Sequence, residues 1–237
     1  MKLDVLAIAA HPDDVEITCG GTMIKLADLG KKTGVLDLTE GEMGTLGTSV
    51  ERLEDAAESA KIMKLAMREN LHLPDAALEP TRENKLKIAQ MIRDYQPDLV
   101  ILPYSDCQRH PDHRVTSRLG YDACYLAGLK KAALEGKPFR PHKIIYATSF
   151  LETQHTFFVD ISDQFERKHK AVEAFRSQFN GSAQSRQIFK PDNDIFELMN
   201  TYCRKYGIEV GCIYAEAFYT PESILIDDPT QMKVRSI

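Results

Sequence analysis

Short, nearly continuous apolar runs recur along this chain, with segments of helical spacing between them. The runs LDVLAIAA (residues 3–10), TGVLDLT (33–39) and DLVILP (98–103) have the length of a strand and few polar breaks. Such runs are typical of strands that are covered on both faces, as in a parallel sheet. A shorter strand is predicted near residues 70–73. The pattern therefore predicts a parallel sheet at the centre of the fold.

The segments between these strands have apolar residues at helical spacing. Residues 17–29 are predicted to be helical, and Thr48 with Glu51 has the spacing of a capping box that opens a helix running to about Met67. TRENKLKIAQMIRDY (81–95) predicts another helix. The alternation of strands and helices predicts an α/β fold of the Rossmann-like, doubly wound class, with a mostly parallel sheet and helices on both of its faces.

The last third of the chain is less regular. KIIYATS and TFFVDI are strand-like, Ser162 is predicted to cap a helix that runs to about Phe179, and IYAEAFY alternates like a final strand. No shift in composition marks a linker, and a chain of 237 residues is long enough to bury one full core. We therefore expect residues 1–237 to form a single domain.

Charge and composition exclude several classes of protein. The net charge is −5 and the basic residues are scattered, so nucleic acid is not expected as a partner. No apolar segment approaches the length that spans a bilayer, and no membrane association is expected. The five cysteines form no CxxC pair, which favours reduced thiols and a cytoplasmic protein. They are Cys19, Cys107, Cys124, Cys203 and Cys212.

Two polar segments stand where apolar strands end. AIAAHPDDVE (7–16) leaves the first strand, and DLVILPYSDCQRHPDHR (98–114) leaves the fourth. In open α/β sheets, ligands bind beyond the carboxyl ends of the strands where the winding reverses, commonly between the first and fourth strands. We therefore expect these two segments to face each other across a binding site.

The residue types in these segments indicate metal-dependent hydrolysis. Two imidazoles and one carboxylate, completed by solvent, are the ligands of a catalytic zinc, and the same set binds non-haem iron(II), so zinc and iron(II) both remain open. Asp13 stands beside the carboxylate ligand and is free to act as a general base. His110, oriented by Asp112, is suited to stabilise a developing oxyanion. Hydrolysis needs such an acid–base pair, whereas an iron oxygenase does not.

Simpler interpretations of the same residues stay open at this point. An aspartate before a helix often only caps it, and for Asp112 a helix cap is at least as plausible as a relay role. His110 could be an outer hydrogen-bonding residue. Glu42 could be a solvated turn residue. Arg52 could be an exposed residue on the surface of a helix.

The motifs AHPDDVE, TEGEMGT and RHPDH resemble those of the PIG-L/LmbE-like family of zinc-dependent N-deacetylases, which act on N-acetylglucosamine conjugates. The resemblance implies that the metal ligands are His11, Asp14 and His113. It also implies that Asp13 is the general base and that His110 stabilises the tetrahedral intermediate. Assembly as a trimer or hexamer is a further implication of the resemblance.

Within this family, the TEGEMGT loop and the helix after it are most similar to members that deacetylate N-acetylglucosaminyl malate in bacillithiol biosynthesis. The resemblance implies that Arg52 holds the substrate, and a guanidinium suits a malate carboxylate because it can bond bidentately. Glu42 is a further candidate for substrate binding. Leu46 departs from the arginine of many relatives, so the group attached to the sugar stays open. The alternatives are another N-acetylglucosamine substrate, such as a chitobiose or an antibiotic precursor, and a non-catalytic metal-binding module.

Overall fold

A seven-stranded sheet forms the centre of the molecule. The computed structural model describes residues 1–104, 110–148, 150–179 and 194–234. The strands are β1 (Val5–Ala9), β2 (Thr33–Thr39), β3 (Met67–Leu73), β4 (Leu99–Pro103), β5 (Lys143–Ala147), β6 (Phe157–Asp160) and β7 (Ala215–Tyr219). Their order in the sheet is β3-β2-β1-β4-β5-β7-β6. The first five strands are parallel, and β7 runs antiparallel to both of its neighbours. The predicted mostly parallel sheet is confirmed.

The described residues form six α-helices, of which the first three lie where the alternation predicted them, with shifted ends, and the sixth was not predicted. They are α1 (Asp14–Asp28), α2 (Ser49–Met63), α3 (Arg82–Tyr95), α4 (Pro111–Ala127), α5 (Phe165–Glu173) and α6 (Ile195–Val210). The capping box of Thr48 and Glu51 is present at the start of α2. That helix ends at Met63 rather than near Met67, because Lys64 takes a left-handed backbone conformation with φ 57°.

Helices cover both faces of the sheet, as predicted. Leu6 and Ile8 of β1 belong to one buried cluster with Ile88 of α3 and Leu119 of α4. The alternate residues of β1, beginning with Val5, belong to a second cluster on the opposite face, which includes residues of α1, α2 and α5. Because successive side chains of a strand point to opposite faces, β1 is buried on both sides, which explains its continuous apolar run.

The predicted helix from Ser162 to Phe179 is wrong in its bounds. The observed α5 spans Phe165–Glu173, and Ser162 does not cap it. The Ser162 hydroxyl donates to Asp160 Oδ1 at 2.6 Å and accepts from the backbone N–H of Ile213 at 3.1 Å. Ser162 therefore ties the end of β6 to the segment that leads into β7.

Helix length and cysteine pairing can be read directly from the described residues. Across the described ranges, no helix combines the length and the apolar character that crossing a bilayer requires. The four described cysteines, Cys19, Cys124, Cys203 and Cys212, form no disulfide, and Cys107 lies outside the described residues.

Candidate metal and catalytic site

The two polar segments meet at the carboxyl ends of β1 and β4. These strands are adjacent and parallel, with Val5 paired to Leu99 and Ala7 to Ile101. The ring centroids of His11, which follows β1, and His113, in the first turn of α4, lie 5.4 Å apart. The topology thus brings together two imidazoles that are a hundred residues apart in the sequence.

Asp14 bridges the two histidines. Its Oδ2 lies 3.3 Å from His11 Nδ1, and its Oδ1 lies 3.1 Å from His113 Nε2. Burial raises the pKa of this carboxyl, but the His113 and His11 imidazoles more than offset that effect and hold the pKa well below its usual range. One ionised carboxylate therefore lies between two imidazole nitrogens, at the first residue of α1.

His11 has a carboxylate on its other ring nitrogen as well. His11 Nε2 lies 2.9 Å from Asp75 Oδ1 and 3.6 Å from Asp112 Oδ2. Burial lowers the pKa of His11, yet hydrogen bonds to Asp112, Asp14 and Asp75 raise it to about 12. The carboxylates thus strongly favour positive charge at the His11 ring, whether it is a proton or a bound metal ion.

This donor set fits a divalent metal. The two Asp14 oxygens each face an imidazole nitrogen, Oδ2 at His11 Nδ1 and Oδ1 at His113 Nε2, and the second nitrogen of His11 is held by Asp75, as is usual for histidines that bind metals. His110 also lies close, since ligand atoms of His11, His110 and His113 are within 4.8 Å of one another. His11, Asp75 and Asp112 form a second set that meets the same distance.

Asp75 was missed in the sequence analysis. It follows β3 in the segment HLPDA, which contains no recognisable ligand motif. Its position just beyond a parallel strand is the one signal that could have found it, because all parallel strands of the sheet end at the same edge. Its Oδ2 also accepts the Met43 N–H at 3.0 Å, so Asp75 connects His11 to the loop after β2.

Asp13 does not cap α1, although it immediately precedes the helix. Its side chain makes no capping hydrogen bond, and its backbone has φ 113°, which is unusual for a residue other than glycine. The carboxylate instead accepts a hydrogen bond from Arg52 Nη2 at 2.8 Å. Burial raises the pKa of Asp13 to about 6, although the charge of Arg52 acts in the opposite direction. Strained backbone of this kind is often found at functional sites.

Arg52 is buried beside Asp13 rather than exposed on the surface of its helix. Besides Asp13, it donates from Nε to the Pro12 carbonyl at 3.2 Å and from Nη1 to the Gly41 carbonyl at 3.1 Å. Gly41 has φ 69°, and a Cβ there would lie 2.3 Å from Arg52 Nη1, so only glycine fits. Three of the five guanidinium N–H groups are thus used within the protein.

Glu42 and Asp112 have backbone partners. Glu42 Oε1 accepts the Asp75 N–H at 2.7 Å, and Asp112 Oδ2 accepts the Ala76 N–H at 2.8 Å. The helix-cap interpretation of Asp112 is wrong: the N-cap residue of α4 is His110, whose Nδ1 accepts the Asp112 N–H at 3.3 Å. Asp112 lies in the first turn of α4, and its carboxylate faces His11 and the segment after β3.

Only Nδ1 of the His110 ring takes part in the helix cap, and Nε2 does not. Because Nδ1 accepts from the Asp112 backbone, a neutral imidazole carries its proton on Nε2. Burial lowers the pKa of His110, and the charges of His11 and His113 lower it further. Nε2 can donate a hydrogen bond in the neutral and in the protonated form.

A cavity of about 670 Å³ contains these groups. Its polar end is formed by the histidines, Asp13, Asp14, Arg52 and Asp75, and its walls continue into an apolar part. That part includes Phe150, Phe179, Leu198 and Tyr202. The cavity therefore combines a cation-binding end with a partly aromatic wall.

Comparison with known proteins finds relatives among de-N-acetylases. The family model described as PIG-L, GlcNAc-PI de-N-acetylase, matches residues 6–124, which include both histidine-bearing segments. A diacetylchitobiose deacetylase from Thermococcus kodakarensis is 35% identical over 229 residues, covering 90% of this chain and 80% of that protein.

Two solved structures share the fold. The conserved protein TT1542 from Thermus thermophilus has a TM-score of 0.87 and 39% identity, covering 97% of this chain and 99% of its own. The N,N'-diacetylchitobiose deacetylase from Pyrococcus horikoshii, complexed with its inhibitor MPG, has a TM-score of 0.78 and 28% identity, covering 91% and 82%. From the family match and the identity to these relatives, the chain belongs to the PIG-L family of deacetylases.

Proposed function

We propose that this protein hydrolyses the N-acetyl group of an N-acetylglucosamine conjugate, with zinc held by His11, Asp14 and His113. The observation that carries the proposal is the position of Asp13. Its buried carboxylate lies beside the donor set, is held by Arg52 at 2.8 Å and lines the same cavity. A base next to an open three-ligand site is the arrangement that metal-assisted hydrolysis requires.

The metal and the side chains have separate tasks in this reaction. A divalent metal at the site would lower the pKa of water and polarise the acetyl carbonyl. Asp13 accepts the proton of the attacking water and returns it to the amine nitrogen as the amide C–N bond breaks. Acetate and a glucosaminyl conjugate are the products. Arg52 orients the base throughout, because its guanidinium is anchored on the Pro12 and Gly41 carbonyls.

His110 stabilises the charge that develops on the acetyl oxygen. Its Nδ1 is occupied by the Asp112 N–H, which leaves Nε2–H as the donor for that oxygen. Iron(II) suits the same ligands, so the metal in the cell is set by availability as well as by affinity.

For the group attached to the sugar, we propose malate. The support is the TEGEMGT loop, which resembles that of the malate-conjugate branch, together with the placement of Arg52 on the cavity wall. Two guanidinium N–H groups beyond the three already bonded could meet a carboxylate. Glu42 lies in the same loop but not among the residues that line the cavity, and its carboxylate holds the Asp75 N–H instead.

A second sugar unit is the other candidate for the group attached to the N-acetylglucosamine unit. A relative with 35% identity over 90% of the chain is a diacetylchitobiose deacetylase. The aromatic part of the wall, with Phe150, Phe179 and Tyr202, is the kind of surface on which the apolar face of a sugar ring packs. This observation favours N,N'-diacetylchitobiose as the substrate to test beside the malate conjugate.

Acetate release by metal-stripped protein tests the proposal. We would add back zinc or iron(II) and compare N-acetylglucosaminyl malate, diacetylchitobiose and N-acetylglucosamine. Metal-dependent release with preference for the malate conjugate is expected. Preference for diacetylchitobiose would keep the deacetylase and replace malate. Metal binding without acetate release from any of the three would contradict the proposed reaction.

Replacing Arg52 by lysine separates binding of malate from support of Asp13. Lysine keeps the charge but cannot bond Asp13, Pro12 and Gly41 together, so we expect a lower kcat on every substrate. Loss of a charge-assisted contact should also raise KM about tenfold for the malate conjugate alone. Steady-state kinetics on the malate conjugate and on N-acetylglucosamine would measure both effects.

The matched control is Arg68→Lys. Arg68 is likewise an arginine paired with a buried aspartate, since its Nε donates to Asp37 at 2.8 Å, but it does not line the cavity. Its replacement should lower stability and leave KM unchanged. An Arg52→Lys enzyme whose KM changes equally on both substrates would speak against contact with malate.

A further inference from the structure

Helix α1, which begins with Asp14, is interrupted near its centre. Cys19 has φ −142° and ψ 18°, values that do not belong to a helix. In an uninterrupted helix the Gly21 N–H would donate to the Ile17 carbonyl, four residues earlier. At such a break the backbone groups on either side need other partners, because they are buried.

A buried ion pair supplies these partners. Glu216 accepts the Gly21 N–H at 2.9 Å and the Thr22 N–H at 2.7 Å. Lys168 Nζ donates to the Ile17 carbonyl at 2.9 Å and to Glu216 Oε1 at 2.5 Å. The pair thus occupies the place of the helical hydrogen bond between Ile17 and Gly21.

The two charged residues come from distant parts of the chain. Lys168 belongs to α5 and Glu216 to β7, and their exposed fractions are 0% and 2%. Burial lowers the pKa of Lys168, but the charge of Glu216 more than offsets this and raises it. A buried ion pair seldom stabilises a fold more than apolar residues of the same size would, so its presence calls for another reason.

The adjacent glycines of the segment TCGGT fit this arrangement. A Cβ on Gly21 would lie 2.7 Å from Ile161 Cδ1 and 3.0 Å from Glu216 Oε1, so any larger residue would clash with Ile161 and press on the carboxylate. A Cβ on Gly20 would meet only ordinary contacts at 3.5 Å or more. Gly21 is therefore the glycine that admits Glu216 into the break.

The segment before the break carries the site. Asp14 is its first residue and binds both His11 and His113. Ile17, Thr18 and Cys19, at its other end, line the cavity. The orientation of this one-turn segment is therefore fixed at one end by the histidines and at the other by the ion pair.

We propose that Lys168 and Glu216 are positioning residues that hold the first turn of α1, and with it Asp14, in the geometry that binds the metal. The inference rests on the proposed metal site. It predicts that loss of the pair weakens metal binding beyond what a loss of stability alone would cause. Outer partners of metal ligands typically account for about 10–100-fold in affinity.

The test is zinc affinity, measured by competition with a chromophoric chelator on Glu216→Gln and on the wild-type protein. Glutamine has the same shape, but its amide nitrogen cannot accept a backbone N–H, so one of the two bonds to α1 is lost. We expect zinc affinity to fall about tenfold. Unchanged zinc affinity in a folded Glu216→Gln protein would overturn the proposal.

Arg93→Gln is the matched control for destabilisation. Arg93 is a buried charge on the opposite face of the sheet, where it donates to the carbonyls of Ala127, Leu129, Leu134 and Glu135. Its replacement should lower Tm and leave zinc affinity unchanged. An equal loss of zinc affinity in both variants would show a purely structural role and overturn the proposal.

A glycine pair provides the test if Glu216→Gln does not fold. Gly21→Ala should shift Ile161 and the Glu216 carboxylate and weaken zinc binding, whereas Gly20→Ala should not. Equal affinity in the two glycine variants would overturn the positioning role. Wild-type protein that binds no zinc would overturn the proposed metal site and this role together, which distinguishes the two failures.

Discussion

Asp13→Asn is expected to lower kcat by about 10²–10⁴-fold while zinc binding stays intact. Asparagine has the same shape, tolerates a positive φ and can still accept the hydrogen bond from Arg52, so the local geometry is retained. It cannot accept the proton of the attacking water, and general bases typically contribute a factor of this size. Acetate release and zinc content of the purified protein would measure the two effects.

Asp37→Asn is the matched control for this change. Asp37 is also a buried aspartate paired with an arginine, Arg68, but it lies on β2 away from the cavity. Its replacement should affect stability and not kcat. If Asp13→Asn retained turnover close to wild type, the assignment of the general base would be wrong.

His113→Ala is expected to abolish zinc binding at micromolar zinc, and with it all turnover. The imidazole is one of the three proposed protein ligands and lies 3.1 Å from Asp14, so its loss would leave a two-ligand site. Loss of an outer partner already weakens metal affinity about 10–100-fold, and loss of a direct ligand should exceed that. Isothermal titration with zinc would measure the affinity.

His142→Ala serves as the control, because His142 is exposed and lies apart from the cavity lining. It should bind zinc and turn over substrate as the wild type does. Zinc bound by His113→Ala with wild-type affinity would instead point to the set of His11, Asp75 and Asp112.

The parts of the fold and site that the sequence predicted are those with strong local signals. β1 and β4 are continuous apolar runs, and each ends at a histidine-bearing segment, so the meeting of His11 and His113 followed from the topology of parallel sheets. The capping box of Thr48 and Glu51 likewise marked the start of α2.

The missed features depend on contacts between distant segments. Asp75 has no motif around it, and its role became visible only when the end of β3 lay beside His11 at 2.9 Å. Glu216 stands in an alternating strand where a solvated carboxylate would be expected, yet it is 2% exposed because Lys168 and the break in α1 satisfy it. Neither the contact of Asp75 with His11 nor that of Glu216 with Lys168 is visible in the local spacing of the sequence.

Arg52 illustrates a third case, in which the residue was found and its surroundings were not. The resemblance pointed to Arg52 as a substrate contact, but the structure adds a hydrogen bond to Asp13 and two to backbone carbonyls. These bonds show that Arg52 orients Asp13, the proposed base, whether or not it also binds substrate. Local sequence does not reveal this, because Asp13 and Arg52 lie 39 residues apart.

The most direct test of the metal centre is an anomalous difference map at the zinc edge, from crystals grown with zinc. We predict one strong peak bonded to His11, Asp14 and His113, with Asp13 nearby and outside the coordination shell. A peak bonded to His11, Asp75 and Asp112 instead, or no peak at this edge of the sheet, would contradict this prediction.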